Sequence, residues 1–368
     1  MASQATQTRA ARRDVYLDWA ATAPLRPEAL AALIAAAGAW ANPSSVHGPG
    51  QRAAALLARA RRDLAAALGC AADAIVFTSG GTEALGLALA QSPTHLVSGV
   101  EHDAVRAQVP GAQVVPVDAN GVVDLDALDA LLARAAVPPL VAVMHVNNET
   151  GVVQPVAEVA RIVAARGGRL LVDAVQSAGK LPLPQADFVA VSAHKLGGPP
   201  GVGALIVRDS VGARQRGGGQ ERGMRGGTEN LPGIAAFAAA ATAAAADAGW
   251  VDRVAALLAR LEDQLPGAVI HGAGAVRSGT IGCIGLPGAA AMTQLMTLDL
   301  AGFAVSAGAA CSSGKVKTSH VLGAMGVGGS AAGEAIRVSL GWTTTAEEVD
   351  AFAVAWRAMA ARLGAAGA

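Results

Sequence analysis

The segment SAHKLGG (192–198) contains a lysine, Lys195, just after the apolar strand pattern DFVAVS (187–192). A lysine at the buried end of a sheet strand is costly, because its ammonium group loses water there. Either the side chain reaches solvent along its apolar stem, or burial makes its amine neutral and nucleophilic. In the second case Lys195 would suit a Schiff base with an aldehyde cofactor.

A carboxylate and an amide follow a second apolar strand pattern. LLVDAVQ (170–176) contains Asp173 and, three residues later, Gln176. Pyridoxal phosphate needs a carboxylate beside its ring nitrogen, which keeps that nitrogen protonated as an electron sink. Gln176 would then donate to the ring hydroxyl. Asp173 taken alone would also suit the N-cap of a helix.

Two further strand ends carry candidate residues. FTSGGTEA (77–84) combines a strand end, a glycine turn and a helix start. The N–H groups of Gly81 and Thr82 would meet a phosphate at the positive end of the helix dipole, although many such turns only permit a tight bend. His102, in EHDAV (101–105), follows THLVS (94–98). It is either structural or able to stack on a flat ring and transfer protons.

The cysteines differ in their surroundings. Cys311 lies in VSAGAACSSGK (305–315), among small residues that lower the cost of movement. We therefore expect a reactive thiol on a mobile segment. Cys70 and Cys283 lie in more apolar surroundings and are predicted to be structural. Three cysteines without a C-x-x-C pair or a secretory signal predict a cytoplasmic protein.

The elements that must position these residues alternate between short apolar runs and amphipathic helix patterns. This alternation predicts an α/β fold with a mainly parallel sheet covered on both faces. Functional groups then lie at the carboxyl ends of the strands. From about Trp250 the pattern becomes that of a smaller α+β domain, with a hinge predicted around residues 240–250.

The composition argues against several classes of protein. The 28 basic and 28 acidic residues balance, which disfavours a nucleic-acid binder despite the arginine-rich RQRGGGQERGMRGG (214–227). The seven histidines show no ligand-like spacing, so no metal site is predicted. The apolar run IAAFAAAATAAAA (234–246) is shorter than the roughly 20 residues of a membrane span, and we expect no membrane association.

Ten motifs, in order along nearly the whole chain, resemble the cysteine desulfurases, pyridoxal-phosphate enzymes related to the class V aminotransferases. The motifs are YLDWAATAP (16–24), NPSSVHGPG (42–50), FTSGGTE, EHDAV, HVNNETGVVQP (145–155), VDAVQSAGK (172–180), SAHKLGGPPGVGAL, GGGQERGMRGGTEN (217–230), GAACSSGK and IRVSLG. Cys311 and Arg337 are 26 positions apart, a spacing that resembles the longer-loop branch of the family.

The resemblance implies an aspartate-aminotransferase-like fold, which is fold type I of the pyridoxal-phosphate enzymes. A large cofactor-binding domain would span residues 16–249. A small domain would span residues 250–368, joined by the N-terminal segment 1–15. The family also implies a homodimer with its active site at the subunit interface.

Matched residue by residue, the resemblance assigns the contacts to pyridoxal phosphate to Gly81, Thr82, His102, Asn148, Asp173, Gln176, Ser192, His194, Lys195 and Thr228. Lys195 would form the Schiff base, and His102 would stack on the ring. Thr228 would reach the phosphate bound by the neighbouring subunit. Asn148 and Arg337 would hold the substrate carboxylate.

The implied reaction converts L-cysteine to L-alanine and leaves the sulfur as a persulfide on Cys311, with Lys195 and His102 moving protons. An acceptor protein, either an iron–sulfur scaffold or a sulfur carrier, would then take the sulfur. Alternatives are a selenocysteine lyase, an aminotransferase of the same fold or a non-catalytic partner subunit. The chain departs from the family at Ala84, Leu85 and Gly86 and at Trp342.

Overall fold

The computed structural model describes residues 14–213, 216–247, 249–308 and 318–366. Its largest sheet has seven strands in the order β2-β8-β7-β6-β5-β3-β4. These strands are β2 (Ile75–Thr78), β3 (His95–Ser98), β4 (Gln113–Val115), β5 (Leu140–Met144), β6 (Arg169–Asp173), β7 (Phe188–Ser192) and β8 (Gly203–Val207). Each of these strands lies within a short apolar run of the kind that predicted strands from the sequence.

The sheet is parallel except at β8, which runs antiparallel to both β2 and β7. Strands β2, β3, β5, β6 and β7 therefore all point the same way, and their carboxyl ends meet at one edge. Successive residues of a strand face opposite sides of the sheet. Val141 and Val143 of β5 enter one apolar core, whereas Leu140 and Ala142 enter another. The predicted α/β fold with a mainly parallel sheet, buried on both faces, is confirmed.

The helices of this part of the chain cover the sheet or pack on one another. They are α1 (Pro27–Ala37), α2 (Gly48–Leu68), α3 (Gly81–Leu89), α4 (Asp103–Arg106), α5 (Leu125–Arg134), α6 (Val156–Ala165) and α7 (Leu231–Ala246). The alanine-rich α7 packs against α1 and α2. Its small side chains allow this close approach, and Ala236, Ala240 and Ala241 are almost fully buried.

The predicted hinge at 240–250 is partly wrong, because residues 240–246 are the last turns of α7. The next helix, α8 (Trp250–Asp263), begins soon after. Among the described residues no single helix is long and apolar enough to cross a membrane, and α7 and α8 meet that criterion only when counted together.

A second sheet has four strands in the order β12-β13-β10-β9. The later strands and helices are β9 (Val269–His271), β10 (Ile281–Gly285), α9 (Ala291–Leu300), β11 (Phe303–Ala304), β12 (Ser306–Ala307), α10 (His320–Ala324), β13 (Ala335–Ser339) and α11 (Ala346–Ala366). All pairings in this sheet are antiparallel. A separate apolar core, which includes Trp356 and Phe352, lies on it.

The N-terminal segment joins this second region. Strand β1 (Val15–Tyr16) pairs in parallel with β11, and Ser339 of β13 donates its N–H to the carbonyl of Leu17 at 2.8 Å. Residues 18–23 then run on towards the carboxyl edge of the large sheet, where the N–H of Ala23 bonds to the carbonyl of His194. The segment thus lies between the two sheets. The domain boundary at residue 249 stays a prediction.

Candidate active site

A cavity of about 410 Å³ opens at the carboxyl edge of the seven-stranded sheet. The ends of β2, β3, β5, β6 and β7 contribute to it, together with β12 and β13 of the second sheet. Ten of the predicted site residues line it, namely Gly81, Thr82, His102, Asn148, Asp173, Gln176, Ser192, His194, Lys195 and Arg337. Thr228 is exposed and lies outside this lining, and Cys311 lies outside the described residues.

Asp173 ends β6 and is buried, with 7% of its surface exposed. One of its oxygens, Oδ1, accepts the N–H of Val175 at 2.9 Å. The chain that follows forms a turn, so the alternative role as a helix N-cap is wrong. Burial raises the pKa of Asp173, and the N–H of Val175 and the nearby His102 and Lys195 offset only part of that rise. A cation placed beside the carboxylate would offset that cost.

Lys195 lies in a short 3-10 turn after β7 and is only partly exposed. Its Nζ donates to the carbonyls of Ala20 and Ala21 at 2.6 and 2.7 Å. The amine therefore points into the cavity rather than to bulk solvent. Burial, with help from the nearby Arg337, lowers the pKa of Lys195 to about 8. At pH 7 roughly a tenth of the amine is thus neutral and free to react.

His102 is oriented by its own helix. It is the N-cap of α4, and its Nδ1 accepts the N–H of Ala104 at 3.0 Å. Burial lowers the pKa of His102, which favours the neutral ring. A neutral ring with Nδ1 as acceptor carries its proton on Nε2. His102 can therefore present an N–H at one point of the cavity and take up or release a proton there.

The turn at Gly81 packs tightly against the end of β6. A side chain at Gly81 would place its Cβ 2.8 Å from Val175 Cγ2, so only glycine fits. Helix α3 begins here and directs its first N–H groups at the cavity edge, as an anion site requires. Ser192 and His194 lie on the neighbouring strand end, and burial lowers the pKa of His194 to about 4.

Arg337 enters the cavity from β13 and is 6% exposed. Its Nη2 forms a salt bridge with Asp18 at 2.8 Å, and its Nη1 donates to the carbonyl of Asn148 at 3.0 Å. The third nitrogen, Nε, is buried and has no hydrogen-bond partner among the described residues. A carboxylate bound beside the guanidinium would satisfy that N–H.

Four residues near the cavity escaped the sequence analysis, although each lies in a quoted motif: Asp18, Glu101, Glu149 and Lys180. Burial raises the pKa of Glu101 to about 8, so this carboxyl is largely protonated at neutral pH. Burial lowers the pKa of Lys180 to about 7, and its Nζ donates to Gln176 Oε1 at 3.2 Å. A charged residue shortly after a strand end was an available signal for Asp18 and Glu101, whereas Glu149 and Lys180 lie farther beyond the ends of β5 and β6.

Of the two described cysteines and the departures from the family pattern, Leu85 lines the cavity and the others lie outside its lining. Cys283 is buried in β10, as predicted, whereas Cys70 is only half-buried; burial raises the pKa of Cys70 to about 11. Trp342 packs on Trp19 with ring centroids 4.6 Å apart, and Arg26 stacks over it. The described residues contain no group of His, Cys, Asp and Glu able to hold a metal.

These residues fit pyridoxal phosphate. Asp173 is a buried carboxylate that forms no salt bridge with the described residues, and Lys195 is an amine whose lowered pKa suits attack on an aldehyde. The Gly81 turn offers N–H groups to a phosphate, and Gln176 is buried at the cavity wall with its Nε2 donating to the carbonyl of Ala20. The groups that the cofactor requires therefore meet at one cavity from the segments that follow β2, β6 and β7.

Comparisons with known proteins agree with this chemistry. The aminotransferase class-V family matches residues 15–352. The chain belongs to that family. It is 42% identical to a cysteine desulfurase of Cereibacter sphaeroides, covering 91% of this chain and 93% of the relative. It is 38% identical to the cysteine desulfurase IscS of an Anaeromyxobacter strain, covering 91% and 90%.

A solved structure agrees with these sequence comparisons. A NifS-like protein from Rickettsia africae superposes with a TM-score of 0.88 at 31% identity, covering 94% of this chain and 99% of that one. Within the class-V aminotransferases the chain thus belongs among the cysteine desulfurases. Members of this class are pyridoxal-phosphate enzymes, and so is this protein.

Proposed function

We propose that this class-V enzyme converts L-cysteine to L-alanine and keeps the sulfur on Cys311. The carbon–sulfur bond of L-cysteine breaks while a sulfur–sulfur bond forms to the Cys311 sulfur. The hydrogen of the Cys311 thiol balances the one gained by the alanine methyl group, so thiol and cysteine become persulfide and alanine without an external oxidant. An acceptor thiol on another protein then takes the outer sulfur.

One observation carries the proposal. The cavity that holds Lys195 and Asp173 is also lined by Gly308, which lies three residues before Cys311 in the sequence. This short separation in sequence supports Cys311 as the acceptor of sulfur from an amino acid bound there. The two described cysteines, Cys70 and Cys283, do not line this cavity.

The chain's own residues supply binding and proton transfer. Arg337, held by Asp18, would bind the substrate carboxylate together with Asn148. Lys195 and His102, both with lowered pKa values, would take and return protons near neutral pH. Pyridoxal phosphate, when bound, supplies the electron sink. Thr82, Ser192 and His194 would hold its phosphate.

The same resemblance supports proposals for partners. We infer a homodimer in which Thr228 reaches the neighbouring subunit's phosphate; it is exposed and outside its own chain's cavity. Trp40 and Val46, exposed to 83% and 89%, give the chain an apolar surface suited to a second copy. The sulfur acceptor would be an iron–sulfur scaffold or a sulfur carrier, in the cytoplasm. A stable, active monomer in light scattering would contradict the dimer.

The decisive experiment compares Cys311→Ala with Cys70→Ala and Cys283→Ala, all loaded with pyridoxal phosphate and given L-cysteine. Cys311→Ala should keep the visible absorbance of the cofactor and its early change with L-cysteine, but should lose formation of alanine. The two control variants should retain most activity. Mass spectrometry after one turnover should place the added sulfur on the peptide that contains Cys311. Alanine release at the wild-type rate from Cys311→Ala would instead indicate a lyase or an aminotransferase.

A further inference from the structure

Trp342 departs from the family pattern and lies outside the lining of the cavity, yet it is held from several sides. It follows β13, the strand that carries Arg337. Its ring stacks on the guanidinium of Arg26, with the Arg26 Cζ 3.9 Å from the ring centroid. Trp19 and Trp250 meet the same ring edge to face, with centroids 4.6 and 6.1 Å away. The ring of Trp342 therefore has a fixed position against Arg26.

Arg26 is a buried cation that forms no salt bridge with the described residues. It is 5% exposed, and its Nη2 is buried without a hydrogen-bond partner among those residues. Burial lowers the pKa of Arg26, and Asp247 and Glu28 offset only part of that effect. A charge buried in this way is costly, and the face of an aromatic ring supplies part of the missing attraction. The stacked ring of Trp342 thus helps to keep the guanidinium where it lies.

Both residues contact the turn that carries Lys195. The Nε of Arg26 donates to the carbonyl of Leu196 at 3.3 Å, and its backbone N–H donates to the carbonyl of Gly197 at 2.9 Å. Gly197 has a φ of +94°, and a Cβ added there would lie 2.6 Å from Arg26 Cγ and 2.7 Å from Trp342 Cη2. Only glycine therefore allows the turn to approach the stacked pair so closely.

Lys195 is held by the same N-terminal segment that contains Arg26. Its Nζ donates to the carbonyls of Ala20 and Ala21, which keeps the amine in the cavity and away from bulk water. Arg26 lies farther along that segment and binds the residues that follow Lys195 in the turn. Without the side-chain contact of Arg26, the turn would be free to move away from the segment, and the amine would gain water.

We propose that Arg26 and Trp342 are positioning residues, which together hold the turn of Lys195 against the N-terminal segment and so keep its amine in the cavity for the cofactor. This inference rests on the proposed function in one respect, because it takes Lys195 as the amine that binds pyridoxal phosphate. Neither Arg26 nor Trp342 lines the cavity, so both act through the turn and not by touching the cofactor.

The pKa of Lys195 in the cofactor-free protein reports whether the amine stays buried. Burial is the first cause of its lowered pKa of about 8, so a turn that admits water should raise that pKa. Competitive acetylation of the apo-protein and a free amine from neutral to alkaline pH, read on the Lys195 peptide by mass spectrometry, measures it. The test leaves unchanged the charged and titratable groups that surround Lys195, namely Asp18, His102, Asp173, Lys180, His194 and Arg337.

Trp342→Leu changes no charge and removes the ring that stacks on Arg26. Relative to its own rate at alkaline pH, Lys195 should then be acetylated about three- to tenfold more slowly at pH 7 than in wild type. Arg26→Met should give a similar loss, and the double variant no more than either single change, because the same contact is removed each time. Trp342→Phe keeps a ring against the guanidinium and should stay close to wild type.

The matched control is Arg169→Met. Arg169 also stacks on an aromatic ring, that of Phe188, but these residues begin β6 and β7 and so lie at the opposite edge of the sheet from Lys195. This variant should show the wild-type pH dependence of acetylation.

If Trp342→Leu does not fold, Arg26→Lys takes its place, because it keeps the charge but loses the flat group that stacks on the ring, and it should show the same loss. An unchanged pH dependence of acetylation in these variants overturns the proposal. So do losses from the two single changes that add up in the double variant. Covalent cofactor on another lysine of wild type would refute the assignment of Lys195 alone, because the acetylation comparison uses no cofactor.

Discussion

Two regions of the cavity are held by contacts of very different reach along the chain. At the carboxyl edge of the large sheet, side chains bond to near neighbours: Asp173 to the N–H of Val175 and His102 to that of Ala104. Where the N-terminal segment and β13 close the cavity, Arg337 bonds to Asp18, 319 residues away in sequence. Local turns thus orient Asp173 and His102, whereas Arg337 in the second region, like Lys195 in the first, depends on partners distant in sequence.

This difference separates two functions. The sheet edge carries the residues suited to the cofactor, whereas Arg337 and its partners face the substrate side. Changes in the first region should therefore affect the attachment of pyridoxal phosphate. Changes in the second region should weaken the binding of L-cysteine while the cofactor stays bound. The following predictions test that separation, from the largest expected effect to the smallest.

Lys195→Ala should abolish the covalent link to pyridoxal phosphate, because Lys195 is the only lysine of the described residues that lines the cavity. We expect turnover of L-cysteine to fall about 10²–10⁴-fold. Borohydride reduction followed by mass spectrometry should find cofactor on the Lys195 peptide of wild type and none on the variant. Covalent cofactor on Lys180 in the variant would show that a second amine near the cavity can replace Lys195.

Arg337→Lys should weaken the binding of L-cysteine and leave the binding of the cofactor unchanged. A lysine cannot form the two-pronged contact of a guanidinium, so kcat/KM for L-cysteine should fall about a hundredfold, mainly through KM. The visible absorbance of the bound cofactor should be unchanged. Arg260→Lys, at an exposed salt bridge with Asp350, is the matched control and should have no effect. Loss of cofactor from Arg337→Lys would mean that the two regions are not separable.

Lys180→Met should change how the stability of the apo-protein depends on pH. Burial lowers the pKa of Lys180 from its usual 10.5 to about 7. Between these values the unfolded chain binds a proton that the folded protein does not, so this lysine makes wild type less stable as pH falls towards 7. Lys180→Met removes the titrating amine, so the variant does not lose stability in this way as pH falls.

The stability gained by Lys180→Met over wild type should therefore be greatest at pH 7, on the order of 2 kcal/mol, or about thirtyfold in the unfolding equilibrium, and should vanish towards pH 10.5. Urea unfolding of both apo-proteins across this range measures it. A difference that does not vary with pH would show that Lys180 keeps its ordinary pKa.

The rate at which apo-protein binds pyridoxal phosphate covalently should rise with pH. Only the neutral amine of Lys195 attacks an aldehyde, and its pKa of about 8 leaves roughly a tenth of it neutral at pH 7. The rate should therefore increase about tenfold between pH 7 and pH 9 and then level off. Stopped-flow absorbance follows the reaction. A rate that still climbs steeply above pH 9 would indicate an ordinary lysine.

By itself the sequence determined the strands, because continuous apolar runs between amphipathic helices allow few arrangements other than a buried, mainly parallel sheet. It also pointed to Asp173, Lys195, His102 and the Gly81 turn, since each directly follows such a run and parallel strands end at a common edge. The reversed direction of β8 was not readable, because an apolar run carries no mark of its direction.

Only the tertiary structure decided which distant groups support those residues. Asp18 beside Arg337, Ser319 bonded to Glu149, and the carbonyls of Ala20 and Ala21 at Lys195 all depend on how the N-terminal segment and the later part of the chain pack on the large sheet. These contacts join residues that are about 170 or more positions apart. Local preferences act over a few residues, so such pairs become defined only when burial of the two apolar cores brings the sheets together.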